Sequence, residues 1–201
     1  MNIGKIAVML AVLVLFGTCA YAADCNSGGR YEYLGDGTVQ DCRTGLIWLR
    51  NATCTDASNG VAPDPNNGSI TWYKAMKWAA GLQDGLCSLT DGSAAGDWRL
   101  PTKTEWMAMV AYAKQRAYPT GPSLTNGAGS AQWTAGDVFT GVNIIGDYWM
   151  STTLLDYPDD TYAWYVFMGT GFVDAHPKSW TLNAWPVRDG QSESFGSLRI
   201  E

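Results

Sequence analysis

The chain has 201 residues, of which 46% are hydrophobic, 12% aromatic and 16% charged, and its formal net charge is -6. That balance excludes a collagen-like, coiled-coil or intrinsically disordered chain, and it supplies apolar side chains enough for one domain with a sizeable core. The acidic balance also argues against a nucleic-acid surface, which needs a basic stripe. Ten tryptophans are many for this length.

Residues 1–22 read as a secretory signal. Lys5 is the only charge, an apolar run from Ile6 to Phe16 follows, and Ala20-Tyr21-Ala22 offers the small-x-small pattern of a cleavage site. The run is shorter than the roughly 20 residues that a spanning helix needs. Cys19 raises a lipid anchor, but Phe16, Gly17 and Thr18 before it do not fit a lipoprotein signal. Cleavage would leave a more acidic chain with four cysteines, and an even count in an exported chain predicts two disulfides. Of the three pairings, Cys25 with Cys42 and Cys54 with Cys87 closes the shortest loops and is preferred. Each bridge would stabilise by about 3–4 kcal/mol in the chain-entropy model. A zinc site is disfavoured, because no Cys-x-x-Cys occurs and His176 is the only histidine.

Tyr31–Leu34 and Thr38–Asp41 read as short strands joined by the turn Gly35-Asp36-Gly37. Leu46–Leu49 suits a buried strand. Residues 51–69, with Pro63, Pro65 and Gly68, read as a polar surface loop. A first helix is predicted from Trp72 to about Gln83, capped by Thr71, with Trp72, Ala75, Met76, Ala79 and Leu82 on one face. A second follows Pro101, where Thr102 and Glu105 match a capping box and Trp106, Met109, Val110 and Ala113 form the apolar stripe. Residues 118–146 are rich in Gly, Ser, Thr and Asn without a strong period, and read as a long loop of the kind that is functional or mobile. Asp147–Ser151 reads as a strand. Thr161–Met168 and Phe172–His176 form a hairpin across Gly169-Thr170-Gly171. Asn183–Arg188 reads as a last strand, confined by Pro186 to an edge or a bulge. Residues 189–201 form a polar tail. Segregated helices beside antiparallel strands make an α+β domain, spanning residues 23–188 with no dividing linker.

Six segments then stand in order: Asp36–Asp41, Thr44–Trp48, Cys87–Ser93, Gly96–Thr102, Tyr148–Thr152 and Trp185–Arg188. Together they resemble the Lcl C-terminal domain family, named for the end of a bacterial collagen-like adhesin, over about Tyr31 to Arg188. The resemblance implies a C-type-lectin-like fold, in which two helices pack on an antiparallel sheet and a long loop region carries the binding surface. It also implies that Trp98, Trp149 and Trp185 lie in or near the core, with Asp97 and Arg99 paired near the second helix. The chain departs from the calcium-dependent sugar binders of that fold, having no Glu-Pro-Asn, Gln-Pro-Asp or Trp-Asn-Asp. Calcium is therefore open as a ligand but not implied, and no cofactor is expected. The adhesin's association with sulfated polysaccharides and its collagen-like stalk do not carry over to an acidic chain with no Gly-x-y repeat.

For catalysis the residues offer little. His176 lacks the support of a Ser-His-Asp triad or a Gly-x-Ser-x-Gly turn. The formylglycine-generating enzymes, which share the broader fold, use cysteines beyond the position of Cys87, where this chain has none. Asp156, Asp159 and Asp160, with Tyr157 and Tyr162 between and after them, could serve a hydrolase or hold calcium, although a solvated acidic turn is the favoured reading. Trp133 and Trp180 lie in polar stretches where a ring can stack on a sugar or anchor a partner. The expected ligand-binding set is thus Trp133, Tyr157, Asp159, Asp160 and Trp180. The expected protein is an exported, non-catalytic recognition or adhesion domain for a glycan or protein, secreted, periplasmic or at the cell surface, with oligomers open. A filament subunit, and less so a hydrolase on Asp156–Asp160, are the alternatives.

Overall fold

A computed structural model describes Cys25 and residues 28–115, 121–155 and 160–190. The predicted signal segment with Cys19, the acidic residues Asp156 and Asp159, Tyr157, and the tail from 191 onward lie outside the described residues.

The described chain is α+β, with nine strands in two sheets and two helices among them. Strands β1 (Tyr31–Tyr33), β2 (Thr38–Asp41), β3 (Ile47–Leu49) and β9 (Val187–Arg188) form an antiparallel sheet in the order β1-β2-β3-β9. The second sheet runs β4-β8-β5-β6-β7, from β4 (Ser69–Thr71), β8 (Thr181–Asn183), β5 (Asp147–Thr153), β6 (Tyr162–Phe167) and β7 (Phe172–Pro177). Its pairings are antiparallel except for β5 with β8, which run parallel and meet at Tyr148 and Asn183. Helices α1 (Trp72–Ala79) and α2 (Lys103–Lys114) complete an arrangement consistent with a lectin-like α+β fold.

The turn before β2 needs glycine. Gly35 and Gly37 have φ of 86° and 87°, and a Cβ on Gly37 would run into the carbonyl of Ser88. Helix α2 starts as predicted. The Thr102 hydroxyl accepts from the Glu105 amide at 3.3 Å, while the Glu105 carboxylate accepts from the Thr102 amide at 2.7 Å. Arg99 does not pair with Asp97. Its guanidinium forks onto both Glu105 oxygens at 2.8 Å and reaches Asp189 at 2.8 Å, whereas Asp97 accepts from the Ala94 amide. Burial would raise the Glu105 pKa, but the Arg99 and Thr102 hydrogen bonds outweigh it and hold the carboxyl below its ordinary range.

Helix α1 differs from the prediction at both ends. The Thr71 side chain makes no capping bond; the Trp72 amide donates to the Lys178 carbonyl at 3.2 Å instead. The helix stops at Ala79, and Gly81 then packs against Ser58 and Asn59, so Leu82 is buried from a turn rather than from helix. Strand β4 spans the end of the predicted loop at Ser69 and the predicted helix cap at Thr71, and its three residues carry no readable period. The predicted last strand is two strands in two sheets. Pro186 lies at the crossing and has no N–H to donate, but its carbonyl accepts from the Leu49 amide at 3.0 Å.

The core is built of indoles. Trp48, Trp106 and Trp185 meet edge to face with centroids 5.0, 5.4 and 5.8 Å apart, and Tyr148 and Phe139 close the cluster. Each such pair is worth about 0.5–1.5 kcal/mol beyond its buried area. The N–H groups of Trp72, Trp106, Trp149 and Trp185 donate to the carbonyls of Met150, Trp149, Ile70 and Leu49, so the rings also tie strands together. Disulfides join Cys25 to Cys42 and Cys54 to Cys87, each with Cα atoms 5.7 Å apart, in the preferred sequential pairing. No helix among the described residues is long and apolar enough to cross a membrane.

Candidate functional site

The register of the β6–β7 hairpin decides what it shows to solvent. Ala163 pairs with His176 and Tyr165 with Asp174, so Tyr165, Asp174 and His176 share one face of the sheet. The Tyr165 and His176 rings lie nearly parallel at 7°, with centroids 4.3 Å apart. After β7 the chain turns, the Trp180 amide donating to the Pro177 carbonyl, and Trp180 folds back over the other face of His176 at 4.3 Å and 25°. The result is a three-ring column, Tyr165–His176–Trp180, whose outermost ring is 53% exposed.

Lys178 pins that turn. It is 2% exposed, its Nζ lies 4.3 Å from the Trp72 ring centroid, and it donates to the Asp160 carbonyl at 2.7 Å and the Asp160 carboxylate at 2.8 Å. Those contacts hold the Asp160 carboxyl below its ordinary range. Asp160 thus anchors the turn by engaging a cation.

Asp147, whose charge acts on His176 and Tyr165 of the column, and Thr181, which follows Trp180 in the chain, belong to an open groove of two adjoining clefts, of about 250 and 320 Å³, which share Asn67 and Asn143. Ser69, Asp147, Thr181 and Asn183 line the first, and Thr53, Thr55 and Asn66 the second. The amides are fixed to one another. Asn143 Nδ2 donates to Asn183 Oδ1 at 3.1 Å, Asn183 Nδ2 donates to the Asn67 carbonyl at 2.7 Å, and the Asn67 side chain accepts from the Ser69 amide at 2.9 Å. The close approach needs Gly68, with φ of 71°, where a Cβ would lie 3.3 Å from Asn183 Nδ2. A primary amide has two N–H donors and two acceptor lone pairs, so Asn143 and Asn183 each keep capacity for a ligand after these bonds.

Asp147 opens β5 at the rim of the groove. Its carboxylate has no hydrogen-bond donor among the described residues, and burial raises its pKa against the opposing pull of His176. Burial, with Asp147 and Asp174 nearby, likewise raises the Tyr165 hydroxyl. The charge around the column is therefore that of two carboxylates and one imidazole. Among the described residues, no lysine or arginine lines the clefts.

The sequence-predicted set is only partly brought together here. Trp180 stacks on His176 and immediately precedes the lining residue Thr181, without itself being among the residues that line either cleft. Trp133 does not: it is buried, and its indole N–H donates to the Phe139 carbonyl at 3.3 Å. The polar loop around it packs Leu124, Trp133 and Phe139 into the main core, where Phe139 meets Trp185, so this ring offers no platform. Asp160 points to Lys178, and Tyr157 and Asp159 are outside the described residues. Sequence reading missed Asp147, Asn143, Asn183 and the Tyr165–His176 pair. The signal available for the pair was the two-residue alternation of the hairpin, which puts Tyr165 and His176 on one face.

Residues 37–188 match the Lcl C-terminal domain. The chain belongs to that family. The match opens in the Gly35–Gly37 turn and closes on Arg188, so it takes in every strand but β1, both helices, the column and the groove of this Lcl C-terminal domain. No curated protein matches the chain.

Proposed function

We propose that this Lcl C-terminal domain is an exported, non-catalytic recognition domain that captures a glycan along the open groove beside Trp180. The single observation that carries the reading is a row of mutually fixed side-chain amides next to a carboxylate without a donor among the described residues, with the half-exposed Trp180 one residue before the lining Thr181. Sugar rings present flat CH faces and many hydroxyls, and binding sites of this kind join an apolar surface to a few placed polar groups. Two disulfides in a small domain support an oxidising destination outside the cytosol. Hydrolysis of a glycoside ordinarily takes two carboxyl groups held about 5–9.5 Å apart. Asp147 is the one carboxylate among the described residues that line the groove, which supports binding without turnover.

The test is capture on a glycan array that also carries cell-surface proteins, comparing the oxidised domain with Trp180→Ala and Asn143→Ala. Loss of glycan capture in both variants, at unchanged thermal stability for Trp180→Ala, is the expected result. Capture that both variants retain in full would remove the groove from consideration.

A further inference from the structure

The chemistry of the groove narrows its ligand, and this step rests on the glycan-capture reading above. The starting point is Asp147. A half-buried carboxylate lined up with Thr181, Asn183 and Ser69 has lost water without gaining a protein donor among the described residues. Such a group is best satisfied by a ligand that brings donors. The candidates are a cation, an ammonium group or a pair of hydroxyls.

Charge excludes polyanions. Among the described residues, the charged or titratable groups that act on Asp147 and Tyr165 are His176, Asp174 and each other, and no lysine or arginine lines either cleft. Lys178, the nearest cation to the turn, is spent on Asp160 and on the Trp72 ring. A sulfate or uronate brought here would meet Asp147 and Asp174 without compensation.

Ring geometry argues against an ammonium. An aromatic cage surrounds a cation with several free faces. Here Tyr165 lends one face to His176, and both faces of His176 are taken, so the column ends in one flat indole rather than a cage. A metal ion prefers several oxygen ligands at once. Asp147 supplies one carboxylate, while Asn143 and Asn183 point their fixed amides at each other.

We infer that the groove selects an uncharged pyranoside, whose adjacent hydroxyls donate to the Asp147 carboxylate while its CH face stacks on Trp180, and that it does so without calcium. The remaining Asn143 and Asn183 capacity takes hydroxyls of the next sugar along the groove. One residue reads the diol and one ring reads the flat face.

Titration calorimetry on the oxidised chain tests this with neutral hexo-oligosaccharides, their sulfated and uronate counterparts, and monodeoxy versions of any neutral binder, each with and without EDTA. Neutral oligosaccharides should bind equally in EDTA. Asp147→Asn turns one acceptor oxygen into a donor and should weaken binding about tenfold, the size of one hydrogen bond to a charged group. Trp180→Ala should weaken it several-fold. Removing either of two adjacent hydroxyls from the sugar should weaken binding to the parent domain but change little in Asp147→Asn.

Preferential binding of the sulfated or uronate polymers, or binding that EDTA abolishes, would overturn the ligand class while leaving the groove as the site, provided that Trp180→Ala still weakens it. Binding indifferent to both Asp147→Asn and Trp180→Ala would overturn the groove itself. Retained Tm in each variant, measured alongside, separates loss of contact from loss of fold.

Discussion

The same side-chain type does opposite work at two places in this domain. In the interior, Trp48, Trp106 and Trp185 meet edge to face, and the Trp106 and Trp185 indole N–H groups are tied to strand carbonyls. On the β6–β7 face, Tyr165, His176 and Trp180 stack face to face, and the last ring is left half in water. Edge-on packing surrounds each ring on all sides and fills volume. A column covers rings only in sequence, and whatever ends it must be finished by solvent or by a ligand. The interior therefore holds the fold together, and the column has surface to give away. Substitutions should separate the two regions by size and by kind of effect.

The largest expected effect is on the interior cluster. Trp185 is fully buried, touches Trp48, Trp106, Phe139 and Tyr148, and bridges to Leu49 through its N–H at 2.7 Å. Trp185→Ala should cost about 3–5 kcal/mol, the usual range for emptying such a site. Chemical denaturation of the oxidised protein measures it, and a cost under about 1 kcal/mol would mean that the cluster does not carry the core.

Next in size are the disulfides. The Cys54–Cys87 bridge closes a span of 33 residues and the Cys25–Cys42 bridge one of 17. The longer loop loses more unfolded-chain entropy, so removing Cys54–Cys87 should cost roughly half a kcal/mol more than removing the other, within about 2–5 kcal/mol for either. Paired Cys→Ser variants compared by urea melts check both the order and the size.

Smaller still is the response of the column. Trp180→Ala removes a ring that is 53% exposed and should change stability by less than about 1 kcal/mol. The same change should cost most of the glycan capture. A large loss of stability would mean that the column is structural and would erase the distinction between the two regions.

How much of this was legible beforehand follows from the same contrast. The capping box at Thr102, the sequential disulfides and the burial of Trp98, Trp149 and Trp185 were readable, because each depends on neighbours in sequence or on a family pattern that covers them. Trp133 misled because a polar loop can still send its apolar rings into the main core, and composition does not tell which side a ring faces. Strand β4 and the split at Pro186 were invisible because two- and three-residue strands are set by partners far along the chain. The groove failed to show for a related reason. Asn67, Asn143 with Asp147, and Asn183 come from three separate segments, and only the pairing of β4, β8 and β5 brings them side by side.

The smallest expected effect is also the most discriminating, because it differs in sign between the two regions. Glu105, in the scaffold, has its pKa lowered by Arg99 and Thr102 against the upward push of burial. Its stabilisation is present above the unfolded-chain value and is lost as pH falls through the lower folded value. Asp147, at the groove, has its pKa raised by burial. Its contribution is present below the unfolded-chain value and is lost as pH rises through the higher folded value. At pH 7, then, Glu105→Gln should lower Tm and Asp147→Asn should raise it, and both differences should shrink toward zero as pH is taken down to about 2–3, below the ordinary carboxylate range. Thermal melts of the two variants across that window read the signs directly. A fall in Tm for Asp147→Asn at pH 7 would mean that the carboxylate has a partner in the folded chain. A rise, together with weaker glycan binding, would mark Asp147 as a group held at a cost to stability for the sake of a ligand.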